Sequence, residues 1–283
     1  MHRTYCDSYD PIETLIDTEL ALVVTSDKES KRLEVQYVDF ATNKDPTRIQ
    51  LTIDEKQKFQ EIFGFGGAFT DSAAVNIYDL ENADIIENLM ASYFDPNGLD
   101  YTTGRVNMGG CDFSTRPYTL VDTPGDVDLE TFELQEEDFL KIALIKKANT
   151  FRETPLKIFS SPWTAPPWMK SNNDYKGKGY LLPEYYQAWA NYFVKFLDAY
   201  KAEGIDHWGL TAQNEPVDGL VPGFTFNCMA WNASTQRDWI VEYLGPSLEN
   251  AGYSDVKLMI HDDQRPLVPK WAREVTYLRS CHN

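Results

Sequence analysis

Early in the chain, apolar and polar positions alternate with a period of two. Leu33, Val35 and Tyr37 flank Glu34 and Gln36, and Ile49, Leu51 and Ile53 flank Gln50 and Thr52. Alternation of this kind predicts half-buried β-strands. After about residue 60 the pattern changes, and strand-like runs are followed by helix-like ones. FGFGGAF (63–69) precedes the helical ADIIENLMASYF (83–94), and LDYTTGRVNMG (99–109) precedes EEDFLKIALIKKA (136–148). LKIFSSPW (156–163) precedes the plainest helix, which opens on Pro183, stops before Gly204 and gathers Tyr186, Trp189, Ala190, Phe193, Phe196, Leu197 and Tyr200 on one side. HWGLTA (207–212), QRDWIVEYL (236–244) and VKLMIHD (256–262) complete the series.

Regular strand–helix alternation predicts an α/β fold with a parallel sheet, either doubly wound or a (β/α)8 TIM barrel. The placement of polar residues favours the barrel. Thr70 and Asp71, Asn107 and Asp112, Ser161 and Trp163, Asn214 and Glu215, and His261 to Asp263 all fall just after predicted strands. Barrel enzymes assemble their sites from the C-terminal ends of strands. A dinucleotide binder would carry GxGxxG at its first turn, and here Gly64 and Gly66 are followed by Phe69 where the third glycine belongs. The chain therefore reads as N-terminal β-strands over 1–60 and the first part of a barrel, about five βα units, over 61–283.

Composition narrows the functional classes. Hydrophobic residues make up 42% of the 283 positions, enough for a packed core. The formal charge of -18 argues against nucleic acid and anionic membranes as electrostatic partners. No apolar run approaches the length of a membrane span, and the first ten residues lack the apolar core of a signal peptide. Cys6, Cys111, Cys228 and Cys281 are far apart, with no CxxC and no His at ligand spacing, so neither a zinc site nor a dithiol motif is expected. Asn232-Ala233-Ser234 is the one N-glycosylation sequon.

Three stretches carry candidate chemistry. In GLTAQNEPVDG (209–219) an apolar strand ends on Asn214 and Glu215, and Pro216 biases Glu215 toward extended backbone. A carboxylate so held suits general acid work, and an amide beside it suits a sugar hydroxyl. The ordinary structural alternative is a loop cap or an arginine pair. In SSPWTAPPWMKSNND (160–174) Trp163 and Trp168 form a stiff aromatic shelf, with Trp163 the better candidate for stacking on a sugar and Trp168 for plugging the fold. In GGAFTDSAA (66–74) two glycines permit close backbone approach ahead of Asp71, whose structural alternative is a helix N-cap. Arg105, on the second barrel strand, would be a buried cation that needs a carboxylate and positions Glu215 or a neighbour. His207 and His261 read as structural hydrogen-bonding residues.

Lined up, FGFGGAFTDSAA, NMGGCDFSTRPYTLVDTPGD, SSPWTAPPWMKSN, YFVKFLDAYKAEGI, TAQNEPVDG and DDQRPLVPKWA resemble the acid glucosylceramidases of glycoside hydrolase family thirty. The matches run in order from residue 4 to about 275. The resemblance implies a (β/α)8 barrel with an accessory β-sandwich, and hydrolysis of glucosylceramide with retention of configuration. It implies Glu215 as acid/base, Asn214 at the 2-hydroxyl, Asp71 at the far glucose hydroxyls and Trp163 lining the sugar pocket. It implies no cofactor and no metal. It also implies lysosomal or secreted localisation, a saposin-type activator, peripheral membrane contact, glycoprotein character, and a disulfide through Cys6.

A retaining glycosidase needs a second carboxylate as nucleophile. In the family it lies on the seventh strand, which unit length puts near position 310, about three βα units beyond Glu215. The expectation is thus a sequence truncated at both ends, with the nucleophile absent and the chain inactive alone. Asp71, Asp112, Asp262 and Asp263 are the in-chain carboxylates that would have to substitute. A non-catalytic sugar-binding fragment, or another β-glycosidase such as a β-xylosidase, are the alternatives.

Overall fold

The computed structural model describes residues 19–40 and 45–276. Cys6 and Cys281 fall outside them. The chain divides into two compact units, Met1–Phe63 and Gly64–Asn283.

In the first unit, β1 (Leu20–Thr25) pairs antiparallel with β2 (Glu34–Asp39), in register from Leu20 opposite Asp39 to Thr25 opposite Glu34. Asp27 organises the connection: its Oδ1 accepts from the backbone N–H groups of Glu29, Ser30 and Lys31 at 2.8–3.0 Å. Those donors, with Lys31 the strongest, hold its carboxyl below the usual range. The second predicted strand does not form. Ile49, Leu51 and Ile53 lie outside any strand and are 91, 87 and 88% exposed. Among the described residues no ladder partner reaches them, and alternation without a partner does not fix a strand.

The second unit follows the predicted alternation. Its elements are β3 (Gly66–Phe69), α1 (Asp71–Tyr78), α2 (Ala83–Phe94), β4 (Thr103–Met108), α3 (Glu136–Asn149), β5 (Lys157–Pro162), α4 (Tyr186–Ala202), β6 (His207–Thr211), α5 (Ala233–Trp239), α6 (Gly245–Asn250), β7 (Lys257–Met259) and α7 (Val268–Thr276). A π-helical turn, Ile240–Leu244, joins α5 to α6, where the sequence predicts one regular helix.

The five strands β3 to β7 form one parallel sheet whose spatial order is the chain order. This decides between the two predicted architectures. A doubly wound sheet reverses direction at a switch point, whereas successive right-handed crossovers without reversal wind a barrel wall. At the first strand pair Gly66 is required: a Cβ there would stand 2.0 Å from the Thr103 carbonyl oxygen.

Local signals set the helices. Thr70 Oγ1 caps α1 by accepting from Ala73 N–H, and Asn82 caps α2 through Asp84 and Ile85. Asp138 Oδ2 accepts from Gln135 N–H at the start of α3, which has acidic residues in its first turn and Lys146 and Lys147 in its last. α4 follows a Pro183–Tyr185 turn and buries Trp189, Tyr192, Phe193, Phe196, Leu197 and Tyr200, close to the predicted face. Its chain leaves through Gly204 at φ +80.

Strand pleating sorts side chains by face. Val106, Met108, Ile158 and Leu210 are buried in the main hydrophobic core. On β4 the intervening residues Arg105 and Asn107 point to the opposite face, in register with Phe159 and Ser161 of β5. Arg105 and Asn107 begin the polar site.

Candidate active site

Glu215 follows β6 by a short step. Its backbone N–H donates to Asp262 O at 2.7 Å, and Asn214 N–H donates to Pro162 O at 2.9 Å, so the two neighbouring strand ends hold this segment. Contrary to the extended backbone expected before Pro216, Glu215 is left-handed, with φ +38. The pre-proline preference yields here to those two backbone hydrogen bonds and to the turn beyond, in which Asp218 N–H donates to Glu215 O at 3.0 Å. The Glu215 side chain is half-buried, and its Oε1 accepts from Gln264 Nε2 at 2.9 Å.

Arg105 is the hub of the strand ends. One Nη2 donates to Asn214 Oδ1 at 2.7 Å and to Asp262 Oδ2 at 2.6 Å, and Nε donates to Ser161 Oγ at 3.2 Å. Ser161 Oγ and Thr211 Oγ1 reach the same Asp262 oxygen at 2.9 and 3.0 Å. The carboxylate that sequence reasoning required for Arg105 is therefore Asp262, and Arg105 positions Asn214 rather than touching Glu215. Because Asn214 Oδ1 faces a cation, its Nδ2 is left as the donor for an incoming oxygen. Buried Gln213 braces the same segment, donating from Nε2 to the carbonyls of Trp163 and Asn214.

Trp163 is buried, and the Arg105 guanidinium lies 4.5 Å from its ring centroid. Its ring shelters the cation that orients Asn214. Trp168 plugs the loop as expected: Nε1 donates to Val121 O at 3.1 Å and the ring packs edge-on against Tyr185.

Asp71 is not the N-cap that its structural alternative supposed. It is the first residue of α1, with Thr70 as the cap, and is 1% exposed. Lys141 Nζ (2.8 Å) and Asn107 Nδ2 (3.0 Å) meet Oδ1, while Ser114 Oγ and Tyr118 OH meet Oδ2. Those four donors meet both oxygens of the carboxylate. Burial alone would raise the Asp71 carboxyl; the Lys141 charge and these donors outweigh it and hold it below the usual range. Lys141, wholly buried, also meets Asp138 Oδ1 at 3.1 Å, to which Tyr200 OH donates at 2.9 Å. Sequence reasoning missed Lys141; the one signal was a lysine on the apolar side of a helix.

The histidines are structural, as expected. His207 Nε2 pairs with Ser160 Oγ at 2.8 Å, and burial depresses it to about 3. His261 packs against Trp271. Of the would-be substitute nucleophiles, Asp262 is bound to Arg105, Asp263 caps the backbone N–H groups of Gln264 (2.6 Å) and Val217 (3.4 Å), and Asp112 is exposed.

A singly wound parallel sheet with a carboxylate, an amide and a paired arginine at its strand ends is the architecture of a barrel glycosidase. The chain belongs to glycosyl hydrolase family 30, whose TIM-barrel domain model matches residues 62–280. It is 44% identical over 279 residues to the lysosomal acid glucosylceramidase of Mus musculus, covering 97% of this chain and 54% of that protein. It is 40% identical over 276 residues to putative glucosylceramidase 4 of Caenorhabditis elegans, covering 95% and 53%. Among solved structures, SrfJ from Salmonella typhimurium matches at TM-score 0.76 and 28% identity, over 88% of this chain and 55% of that one. The endo-β1,6-glucanase BT3312 matches at TM-score 0.73 and 30% identity, over 86% and 52%. The chain spans about half the length of the curated relatives it matches.

Proposed function

We propose that this chain carries the acid/base half of a retaining β-glucosidase that hydrolyses glucosylceramide to glucose and ceramide. The observation behind this reading is Glu215 at the end of β6, beside an Asn214 whose amide is oriented by Arg105, in a chain 44% identical to a glucosylceramidase. In a double displacement, Glu215 protonates the departing glycosidic oxygen and then, as a carboxylate, takes the proton of the attacking water. Asn214 donates from Nδ2 to the 2-hydroxyl oxygen, a contact that strengthens as charge builds on the ring. Trp163 walls this side of the site behind Arg105. Asp71, held by Lys141, Asn107, Ser114 and Tyr118, is the residue the family resemblance puts at the far glucose hydroxyls.

The attacking carboxylate is a separate residue. Asp262 is neutralised by Arg105 and Asp71 by Lys141, so neither is free to attack the anomeric carbon. The seventh-strand residue implied by the family remains the reading for that role. A lysosomal or secreted setting, a saposin-type activator and peripheral membrane contact belong to the same proposal.

The test, in a full-length form of this gene product, is release of fluorophore from a β-glucoside, with the configuration of the first-formed glucose read by NMR. Glu215→Gln should suppress turnover most for substrates with poor leaving groups, which depend on the acid. Unchanged rates in that variant, or inversion at the anomeric carbon, would overturn the proposal. Binding of a glucose-like iminosugar without turnover would favour the sugar-binding alternative.

A further inference from the structure

The loop after β5 and the loop after β6 are laced into one piece. Gly177 N–H donates to Phe224 O at 3.1 Å, and Gly179 N–H donates to Gly219 O at 3.0 Å. In the other direction Cys228 N–H donates to Tyr175 O at 3.1 Å and Ala230 N–H to Gly179 O at 2.7 Å. The second loop carries Glu215 at its start, and Trp231 N–H closes it back onto Pro216 O at 3.0 Å. Within it Gly219 lies so close to the returning limb that a Cβ would stand 2.0 Å from Ala230 N.

At the centre of the lacing is a lysine with no part in the site described above. Lys170 follows the short turn Pro167–Met169 and is 2% exposed. Its Nζ donates to Asp174 O at 2.6 Å and to Cys228 O at 2.8 Å, so one ammonium bridges a carbonyl of each loop. Those partners are carbonyls, whereas the charge of Lys141 is matched by two carboxylates. Burial therefore dominates and pulls the Lys170 ammonium down to about 8, against the opposing influence of Cys228 and Asp174. A buried charge without a counter-ion is a poor source of stability. It is a good source of register, because one head with several N–H donors ties carbonyls 4 and 58 positions away to a single point.

We propose that Lys170 is a positioning residue for the acid/base, clasping the loop after β5 to the loop after β6 so that the Glu215 carboxyl stays aimed at the glycosidic oxygen. The inference rests on the reading of Glu215 as acid/base.

Glu215 needs such a hold. Its backbone is left-handed at φ +38, a conformation that persists only where the surroundings over-determine it. On the strand side the hold comes from the carbonyls of Pro162 and Asp262, which accept from Asn214 and Glu215 N–H. On the loop side it comes through Pro216 and Trp231, and the segment 228–231 is fastened at its other end by Lys170. Loss of the clasp leaves the strand-side contacts and Asn214 in place. Sugar binding then survives while the carboxyl loses its aim.

Two measurements on a full-length form of this gene product test the clasp. Lys170→Met keeps the reach of the side chain and removes its donors. Its kcat/KM should fall about tenfold for phenyl β-glucoside, whose leaving group needs the acid, and less than about twofold for dinitrophenyl β-glucoside, whose leaving group does not. A loss of folded protein lowers both equally, so the ratio separates aim from folding. Equal changes on the two substrates overturn the proposal. The second measurement is amide hydrogen exchange read by mass spectrometry, which needs no turnover. Segments 174–180 and 217–231 should exchange about tenfold faster in Lys170→Met, with α4 unchanged. Unchanged exchange in those two segments also overturns the clasp. Should Lys170→Met not fold, Lys170→Gln, which keeps an N–H donor without the charge, is scored by the same ratio and the same segments. If Glu215→Gln turned over both glucosides at the parent rate, the acid/base reading would fall, while the exchange data would still decide whether Lys170 joins the loops.

Discussion

Arg105 Nη2 lies 2.6 Å from Asp262 Oδ2 and 2.7 Å from Asn214 Oδ1, so one nitrogen ties the second barrel strand to the ends of the fourth and fifth. The side chains of the ion pair are 22% and 27% exposed, so solvent weakens the pair without cancelling it. Its value lies in orientation. Lysine in this place would keep the charge and lose the planar fork. Arg105→Lys is expected to weaken binding of a glucose-like iminosugar about tenfold, or about 1.4 kcal/mol, through misorientation of Asn214. Calorimetry on both proteins checks this, and equal affinity would remove Arg105 from the site.

Lys141 is fully buried between Asp71 and Asp138. Lys141→Met would leave two buried carboxylates without their cation, costing about 3–5 kcal/mol. Urea unfolding of the second unit reads this directly, and a loss under 1 kcal/mol would refute it. The ion triad also sets a pH window. Asp71 is depressed, so its contribution is present above the ordinary Asp range and lost as pH falls through its lowered folded value. Lys141 is raised, so its contribution is complete below the ordinary lysine range and lost only at strongly alkaline pH.

Asp218 has the opposite linkage. Its folded value is raised to about 7, so between the ordinary Asp value of 3.8 and about 7 the folded protein holds a proton that the unfolded chain releases. Stability from this group falls as pH rises through that window. Thermal melts at pH 5 and pH 7.5 should show a smaller drop in Tm for Asp218→Asn than for the parent. An identical drop would refute it.

Gly66 and Gly67 sit side by side in β3 and should respond differently. A Cβ at Gly66 would meet the Thr103 backbone at 2.0 Å, while at Gly67 the nearest atom is a Tyr101 ring carbon at 3.6 Å. Gly66→Ala is expected to cost about 2–3 kcal/mol by forcing the first strand pair apart. Gly67→Ala should change stability by less than about 1 kcal/mol. Denaturant midpoints of the two variants distinguish them, and equal losses would show that the strand pair shifts freely.

The barrel strands were legible because each carries an apolar run closed by a polar residue, as in LTAQNE on β6 and KIFSSP on β5. Strand order was not written in any one of those runs; it follows from their succession through helices. The site was legible where a motif is contiguous, at Asn214-Glu215, and at Arg105, whose charge on a barrel strand demanded a partner. Which carboxylate answered could not be read, because Asp262 lies 157 positions along the chain. The partners of Asp71 could not be read, because a strand-end aspartate looks the same whether or not a buried lysine faces it, and Lys141 sits on a helix. Ile49, Leu51 and Ile53 show the limit of pattern alone, since alternation describes a face and not what covers it.

The left-handed backbone at Glu215 sets two demands against each other at one position. Folding there would be served by glycine or asparagine, which adopt positive φ at little cost. Proton transfer calls for a carboxyl, which neither supplies. Sequence drift toward a sturdier protein would therefore remove the acid first, and selection for turnover must keep a conformation the backbone resists.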